Sequence, residues 1–309
     1  MKALLLPAWT GLAVNLHPLK NLIGTERPDL NKNPLPRLFI LGEQKCGTSS
    51  LFSALRDHPD VCDGVKLEGD FSGKDLRYFD TNATVEDMVS GLPRYLQHFE
   101  RCPPSQLRME ATPEYLTRNM TAQNIKNVYG SLGEDLSELR FIVILRDPVK
   151  RMMSAYQHKL QRHIWPEGWT IDDEVQEGMD KFHEWLLHSN PGEHYSTPFA
   201  DTVKRGLYDH TIGFWLNEFE PAQFKILTLK QLAHDGSEVM NAIHEFIGVS
   251  PRKADIRQTR VWPKRAINLP VPEGLTKFYE PHVKALFELK EQFPIAFHDP
   301  PENPFSFAK

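Results

Sequence analysis

Two short apolar runs, each leading into a loop and then a helix, constrain this chain most. Leu38-Phe39-Ile40-Leu41 runs into Gly42-Glu43-Gln44-Lys45-Cys46-Gly47-Thr48-Ser49-Ser50 and a helical stretch around 49–56. Phe141-Ile142-Val143-Ile144-Leu145 runs into Arg146-Asp147-Pro148 and a helical stretch reaching about Gln161, with the proline in the first turn, where it is tolerated. An apolar run without alternation is what a strand buried on both faces requires. Lys225-Ile226-Leu227-Thr228-Leu229 is a third strand candidate, and helices are expected at 85–98, 172–188, 206–219, 237–247 and 274–291. Strands alternating with helices predict an α/β fold, a single domain with a central, mostly parallel sheet flanked by helices. Such sheets take ligands beyond the carboxyl ends of their strands, where both loops fall.

The first loop has the chemistry of an anion site. Gly42 and Gly47 carry the glycine spacing of a phosphate-binding P-loop, GxxxxGK[ST], so the core is expected to be P-loop-like and nucleotide-binding. Glycines let the backbone wrap a phosphate, a helix N-terminus offers unpaired N–H groups, and Thr48, Ser49 and Ser50 add hydroxyl donors. One departure matters. Thr48 stands where a P-loop has its lysine, and the lysine is Lys45, inside the loop. Triphosphate hydrolysis also needs an acidic residue to help hold magnesium, usually at the end of a second apolar strand. Here that strand ends in Arg146, which favours an anion over a cation. Arg146 can fork two hydrogen bonds to a phosphate and Ser154, two turns into the next helix, can add one. The bland alternative makes Arg146 and Asp147 a capping ion pair and Ser154 a helix-surface residue. Two anion sites on one sheet edge suit a ligand with two separated phosphates and no metal.

Bulk properties narrow the rest. The chain has 309 residues, 40% hydrophobic and 25% charged, with a net charge of −5, so a general polyanion-binding surface and a nucleic-acid partner are not expected. Prolines at 7, 18, 28, 34 and 36 mark residues 1–36 as an N-terminal arm; 37–292 is the domain; 293–309, with prolines at 294, 300, 301 and 304, is a C-terminal tail. Met1-Lys2-Ala3-Leu4-Leu5-Leu6 hints weakly at a signal peptide, which Pro7 and Thr10 interrupt, and an irregular arm is the preferred reading. No segment has the length of a membrane span. Cys46, Cys62 and Cys102 have no zinc spacing and do not make a disulfide scaffold, though one pair could form. The compartment stays open, with cytoplasm slightly favoured over a secretory-pathway (Golgi) lumen. Asn82-Ala83-Thr84 and Asn119-Met120-Thr121 are glycosylation triplets that carry weight only if the chain is secreted. None of the 13 histidines falls into a metal pattern. His58, His158 and His163 flank the expected site helices and are read as structural or surface residues. Trp262 stands just before a basic pair, Lys264-Arg265.

The two loops and several further segments resemble the PAPS-dependent sulfotransferase superfamily (PAPS is 3′-phosphoadenosine 5′-phosphosulfate), in its carbohydrate, heparan sulfate type branch. Lys45-Cys46-Gly47-Thr48-Ser49 is similar to the family's 5′-phosphosulfate loop. Arg146-Asp147-Pro148 with Arg151, Ser154 and Tyr156 matches its 3′-phosphate motif RDPxxRxxSxY. Lys74-Asp75-Leu76-Arg77-Tyr78-Phe79-Asp80 resembles a K-E-x-H-F-F-D segment whose glutamate is the family's catalytic base. Glu110-Ala111-Thr112-Pro113-Glu114-Tyr115 resembles a substrate-side loop, Arg205-Gly206-Leu207-Tyr208 the family's R-x-x-Y helix, and Lys264-Arg265-Ala266 a loop that closes over the donor. Three departures stand out: Asp75 replaces the glutamate, the closing loop lacks a glycine between its basic residues, and the C-terminal cysteine pair of some heparan enzymes is absent.

The resemblance implies a sulfotransferase that moves a sulfuryl group from PAPS to a hydroxyl of a carbohydrate or small-molecule alcohol, leaving adenosine 3′,5′-bisphosphate and needing no metal. Lys45 is then expected at the bridging oxygen, and Cys46, Gly47, Thr48, Ser49, Ser50, Arg146, Ser154, Tyr208, Lys264 and Arg265 around the donor. Thr112 and Tyr115 are expected on the acceptor side. Asp75 is the first candidate for the base and Glu68 the second. The rival readings are a P-loop nucleotide kinase or NTPase, and a non-catalytic nucleotide-binding protein on the same fold.

Overall fold

The computed structural model describes residues 34–68, 73–188, 201–253 and 269–298. Five parallel strands form one sheet in the order β2-β3-β1-β4-β5: β1 Leu38–Gly42, β2 Val61–Asp63, β3 Leu107–Ala111, β4 Arg140–Leu145 and β5 Phe224–Thr228. The chain starts in the middle strand, crosses to one edge, and returns past β1 to the other, so β1 is flanked by β3 and β4. All five residues of β1 are buried. Leu38 and Ile40 enter one core with Leu51 and Leu55 of α1 (Thr48–Arg56) and Val239 and Ile243 of a later helix. Phe39 and Leu41 enter the opposite core with Leu92, Ile125 and Trp215. Both faces of the sheet are therefore covered, as a parallel sheet requires.

The remaining helices are α2 Val85–Gln97, α3 Asn119–Leu132, α4 Pro148–Gln161, α5 Ile171–His188, α6 Asp201–Lys204, α7 Tyr208–Glu218, α8 Leu229–His234, α9 Gly236–Ile247 and α10 Leu275–Gln292. Their starts carry the expected local signals. The Thr84 hydroxyl caps α2 by accepting from the Asp87 N–H, and Asp147 caps α4 by accepting from the Lys150 N–H at 2.9 Å, with Pro148 in the first turn. A third apolar cluster joins α4, α5 and α10 through Met152, Val175 and Tyr279. No helix among the described residues is long and apolar enough to cross a membrane.

The packed body reaches beyond the expected boundaries. Leu35 is buried, and the start of the expected tail docks on the sheet: Phe297 bridges Ile226 in parallel and the His298 N–H donates to the Ile226 carbonyl at 2.7 Å. Cys62 of β2 and Cys102 are joined in a disulfide with Cα atoms 5.7 Å apart, leaving Cys46 as a buried free thiol. The bridge closes a 40-residue loop that holds both the Lys74–Asp80 segment and α2. Replacing both bridged cysteines by serine is expected to lower unfolding free energy by about 2–4 kcal/mol. Urea unfolding measures this, and coincident midpoints for variant and parent would contradict it.

Candidate active site

The loop leaving β1 needs glycine at two places. Gly42 has φ 152°, and a Cβ there would meet the Pro113 carbonyl oxygen at 2.7 Å; at Gly47, φ 96°, a Cβ would meet Leu229 Cδ1 at 2.7 Å. Gly47 is the N-cap of α1 and contributes no side-chain cap, so the Thr48 and Ser49 N–H groups have no intrahelical acceptor. Thr48 is buried, and Ser49, Ser50 and Lys45 are half-buried. Lys45 holds a left-handed backbone at φ 71°. Among the described residues only three other non-glycines have positive φ, and two of them are Asp75 (φ 62°) and Arg77 (φ 58°). Such conformations cost roughly 1–2 kcal/mol each and gather at functional sites.

Neighbouring elements clamp this loop. The Glu43 carboxylate is fully buried. It accepts from Arg205 Nη1 at 3.0 Å, the Thr117 hydroxyl at 2.5 Å and the Gln44 N–H at 2.6 Å. Burial pushes its pKa up against the opposing pull of Arg205. Arg205 also lies 3.8 Å from Glu114, which accepts from Gln44 Nε2 at 3.1 Å. Arg146, at the end of β4, donates to the Lys45 carbonyl at 3.3 Å, and the Tyr208 hydroxyl donates to the Arg146 carbonyl at 2.8 Å. Lys45 and Arg146 are thus brought together across adjoining strands, β1 and β4.

Several residues expected around the donor have partners within the protein. Cys46 is buried, with its thiol 3.8 Å from the Tyr208 hydroxyl, and burial pushes that thiol up to about 12, so it is no nucleophile. Tyr208 is also buried, and its hydroxyl is engaged with Arg146; it positions the arginine from behind. Asp147 caps α4, as the alternative reading of that dipeptide has it, while Arg146 turns to the Lys45 carbonyl; no ion pair joins the two among the described residues. Ser154 is half-buried on α4, and Arg151 of the same motif is fully buried, donating to the Thr202 carbonyl. Lys264, Arg265 and Trp262 lie outside the described residues.

Beside β1, the candidate base docks on the end of β3. The Asp75 N–H donates to the Ala111 carbonyl at 2.8 Å, and Lys74 Nζ lies 3.1 Å from Asp75 Oδ1. The Asp75 side chain is 37% exposed, open enough to meet a ligand. The segment that follows hangs on a buried carboxylate. The Arg77 N–H donates to Thr112 Oγ1 at 3.3 Å, and the Phe79 N–H donates to the Tyr115 hydroxyl at 3.2 Å. Thr112 and Tyr115 in turn donate to Glu110 Oε1 at 3.1 and 2.5 Å, and Tyr95 donates to Oε2. Burial pushes the Glu110 carboxyl up to about 7, opposed by these hydroxyls. Thr112 and Tyr115, expected on the acceptor side, are both fully buried, and their hydroxyls hold the Asp75–Phe79 segment. Glu68 is exposed, its carbonyl accepting from Arg94 of α2, and among the described residues it has no such tie to the sheet edge.

Glu43, Glu110, Glu114 and Arg205 form the frame that motif reading did not single out as site residues. A carboxylate inside a glycine anion loop was the available signal for Glu43. Away from this edge, Asp209 and His210 of α7 meet His282 of α10 with ligand atoms within 4.8 Å of one another, and His282 Nδ1 lies 2.9 Å from Asp209 Oδ2. The histidine spacing had not indicated this cluster because its members come from two helices far apart in the chain.

Residues 35–261, well over half of the chain, match the family model described as "Sulfotransferase domain". The chain is 26% identical over 228 residues, 70% of its length, to the bifunctional heparan sulfate N-deacetylase/N-sulfotransferase 4 of Mus musculus, of which the match covers 23%. It is 25% identical over 222 residues, 72% of its length, to the heparan sulfate glucosamine 3-O-sulfotransferase 3A1 of Homo sapiens, covering 46% of that protein. It therefore spans about half or less of these curated relatives. A sulfotransferase from Alicyclobacillus acidocaldarius has the same fold, with a TM-score of 0.62 at 25% identity over 83% of this chain and 96% of that one. Since the family match covers well over half of the chain, including the glycine loop, the Lys74–Asp80 segment and the arginine strand end, the chain belongs to the sulfotransferase domain family.

Proposed function

We propose that this protein transfers a sulfuryl group from PAPS to a hydroxyl group, with a carbohydrate as the preferred class of acceptor. The observation that carries the reading is the meeting of Lys45 and Arg146 at the carboxyl ends of β1 and β4, next to the uncapped start of α1. This donor set suits two separated phosphates. A magnesium-dependent kinase reading is not favoured, because Asp147, the carboxylate that follows β4, is engaged as a helix cap. The names of the curated relatives support a carbohydrate acceptor; other alcohols fit the same chemistry.

In the proposed step the acceptor oxygen attacks sulfur in line. The bond from sulfur to the bridging oxygen breaks, and its electron pair stays on the 5′-phosphate. Lys45 donates to that oxygen as charge grows there, which lowers the barrier without tightening ground-state binding. Thr48, Ser49 and Ser50 hold the 5′-phosphate, and Arg146 with Ser154 holds the 3′-phosphate. Asp75 takes the acceptor proton. Its short side chain is offset by a backbone fixed at Ala111 and by Glu110, which holds the following residues through Thr112 and Tyr115.

Calorimetry is expected to show adenosine 3′,5′-bisphosphate binding in the presence of a chelator, weakened by about 2–4 kcal/mol in Arg146→Ala through loss of a charged bidentate partner. A strict magnesium requirement, or equal affinity in the variant, contradicts the donor site. Asp75→Asn is expected to cut turnover with labelled PAPS about a hundredfold or more while leaving affinity for the bisphosphate intact. Glu68→Gln is the paired control: a large loss there alone transfers the role of base to Glu68, and full activity in both removes both.

Glu110 generates a pH prediction. Its folded pKa lies above its unfolded one, so the folded state holds the proton longer. Its contribution to stability is present at acid pH and lost as pH rises from the ordinary carboxylate range through about 7. Unfolding curves across that window are expected to lose this slope in Glu110→Gln; an unchanged profile contradicts the assignment.

A further inference from the structure

We propose that Asn82 carries an N-linked oligosaccharide, added in the oxidising lumen where the Cys62–Cys102 bond forms. The argument is independent of the sulfuryl-transfer reading and rests on two observations that need the same compartment.

The first is the disulfide. Its Cα separation of 5.7 Å is the usual span of such a bridge, and both ends sit in ordered structure, one in β2 and one packed in the core beneath α2. Forming it removes two protons and two electrons from the two thiols, which a disulfide-bearing oxidant must accept. Reducing compartments keep such thiols apart, and secretory lumens oxidise them. The third cysteine does not compete for pairing, since Cys46 is buried in the opposite core.

The second is the geometry of the Asn82-Ala83-Thr84 triplet, which has the acceptor pattern for N-glycosylation. It stands inside the loop that the disulfide closes. Residues 82–84 belong to neither helix nor strand, and Asn82 and Thr84 are both exposed. An attached sugar would therefore break no backbone ladder and displace no core side chain. The local backbone is held without Asn82: the Ala83 N–H donates to Thr81 Oγ1 at 3.2 Å, Asn124 donates to the Thr81 carbonyl at 2.8 Å, and Thr84 caps α2. The other triplet differs, because Thr121 is fully buried at the start of α3. In the modification, the Asn82 amide nitrogen bonds to the anomeric carbon of a saccharide carried on a lipid pyrophosphate. The sugar–phosphate bond breaks, and the amide proton leaves with the pyrophosphate. Each observation is common alone. A disulfide and an exposed acceptor within the loop it closes point together to a lumenal protein.

The test is peptide mapping of the full chain isolated from its own cells, with free thiols alkylated at lysis. Peptide N-glycosidase is expected to convert Asn82 to aspartate, and Cys62 and Cys102 are expected in one linked peptide. In tagged full-length copies made in the same cells, Asn82→Gln and Thr84→Ala are expected to abolish the glycosidase-sensitive shift, while Thr84→Ser, which keeps the hydroxyl and the cap, retains it. An unmodified Asn82 as the main species, or alkylated Cys62 and Cys102, overturns the proposal.

Discussion

The loop between β1 and α1 is held from beneath by an ion pair that water does not reach. Glu43 is fully buried and Arg205 nearly so, with 3.0 Å between them. A carboxylate inside an anion-binding loop looks self-defeating until its partners are counted. Arg205 neutralises it, Thr117 and the Gln44 N–H complete its hydrogen bonds, and Arg151 adds a second positive charge nearby. Removing one member of such a pair leaves an unpaired buried charge, which typically costs about 3–5 kcal/mol. The pair joins the β1 loop to the lead of α7, and through Glu114 to the loop after β3. The loop after β3 is thereby tied to the β1 loop, and the Arg146 donation to the Lys45 carbonyl ties the end of β4 to it.

This frame brings two basic residues, Lys45 and Arg146, together in a protein with a net charge of −5. Topology brings them to one edge: β1 and β4 are neighbours whose carboxyl ends lead into the Lys45 loop and Arg146, and Asp75 docks on Ala111 at the end of β3, on the other side of β1. Sulfuryl transfer asks for less charge neutralisation than phosphoryl transfer, because the moving group bears a single negative charge. The proposed roles, a lysine at the leaving oxygen and an arginine at a distant phosphate, suit that demand.

The apolar strands β1, β4 and β5 and most of the helices were legible in the sequence because long uniform runs and capped amphipathic stretches announce them. β3 was not, although it lies beside β1. Leu107-Arg108-Met109-Glu110-Ala111 alternates charged and apolar residues, which reads as a surface segment. Both charges are in fact buried: Arg108 donates to the Cys102 carbonyl, and Glu110 gathers three hydroxyls. These partners are remote in sequence, so no local pattern reveals them. The same reason hid the inward role of Thr112 and Tyr115, and the pairing of Cys62 with Cys102, which spacing alone does not decide. The glycine loop and Arg146 were legible because their chemistry is local: a backbone that needs two glycines, and an arginine at a strand end.

The measurement that bears most directly on the central claim is intact-mass analysis of a mixed panel of carbohydrate and simple alcohols incubated with the full chain and PAPS, with Lys45→Ala run in parallel. The account predicts that at least one acceptor gains the mass of one SO₃ unit with release of adenosine 3′,5′-bisphosphate. It predicts that the variant still binds that nucleotide but transfers far more slowly. Nucleotide binding without any acceptor gaining mass across the panel, or undiminished transfer by Lys45→Ala, would contradict it.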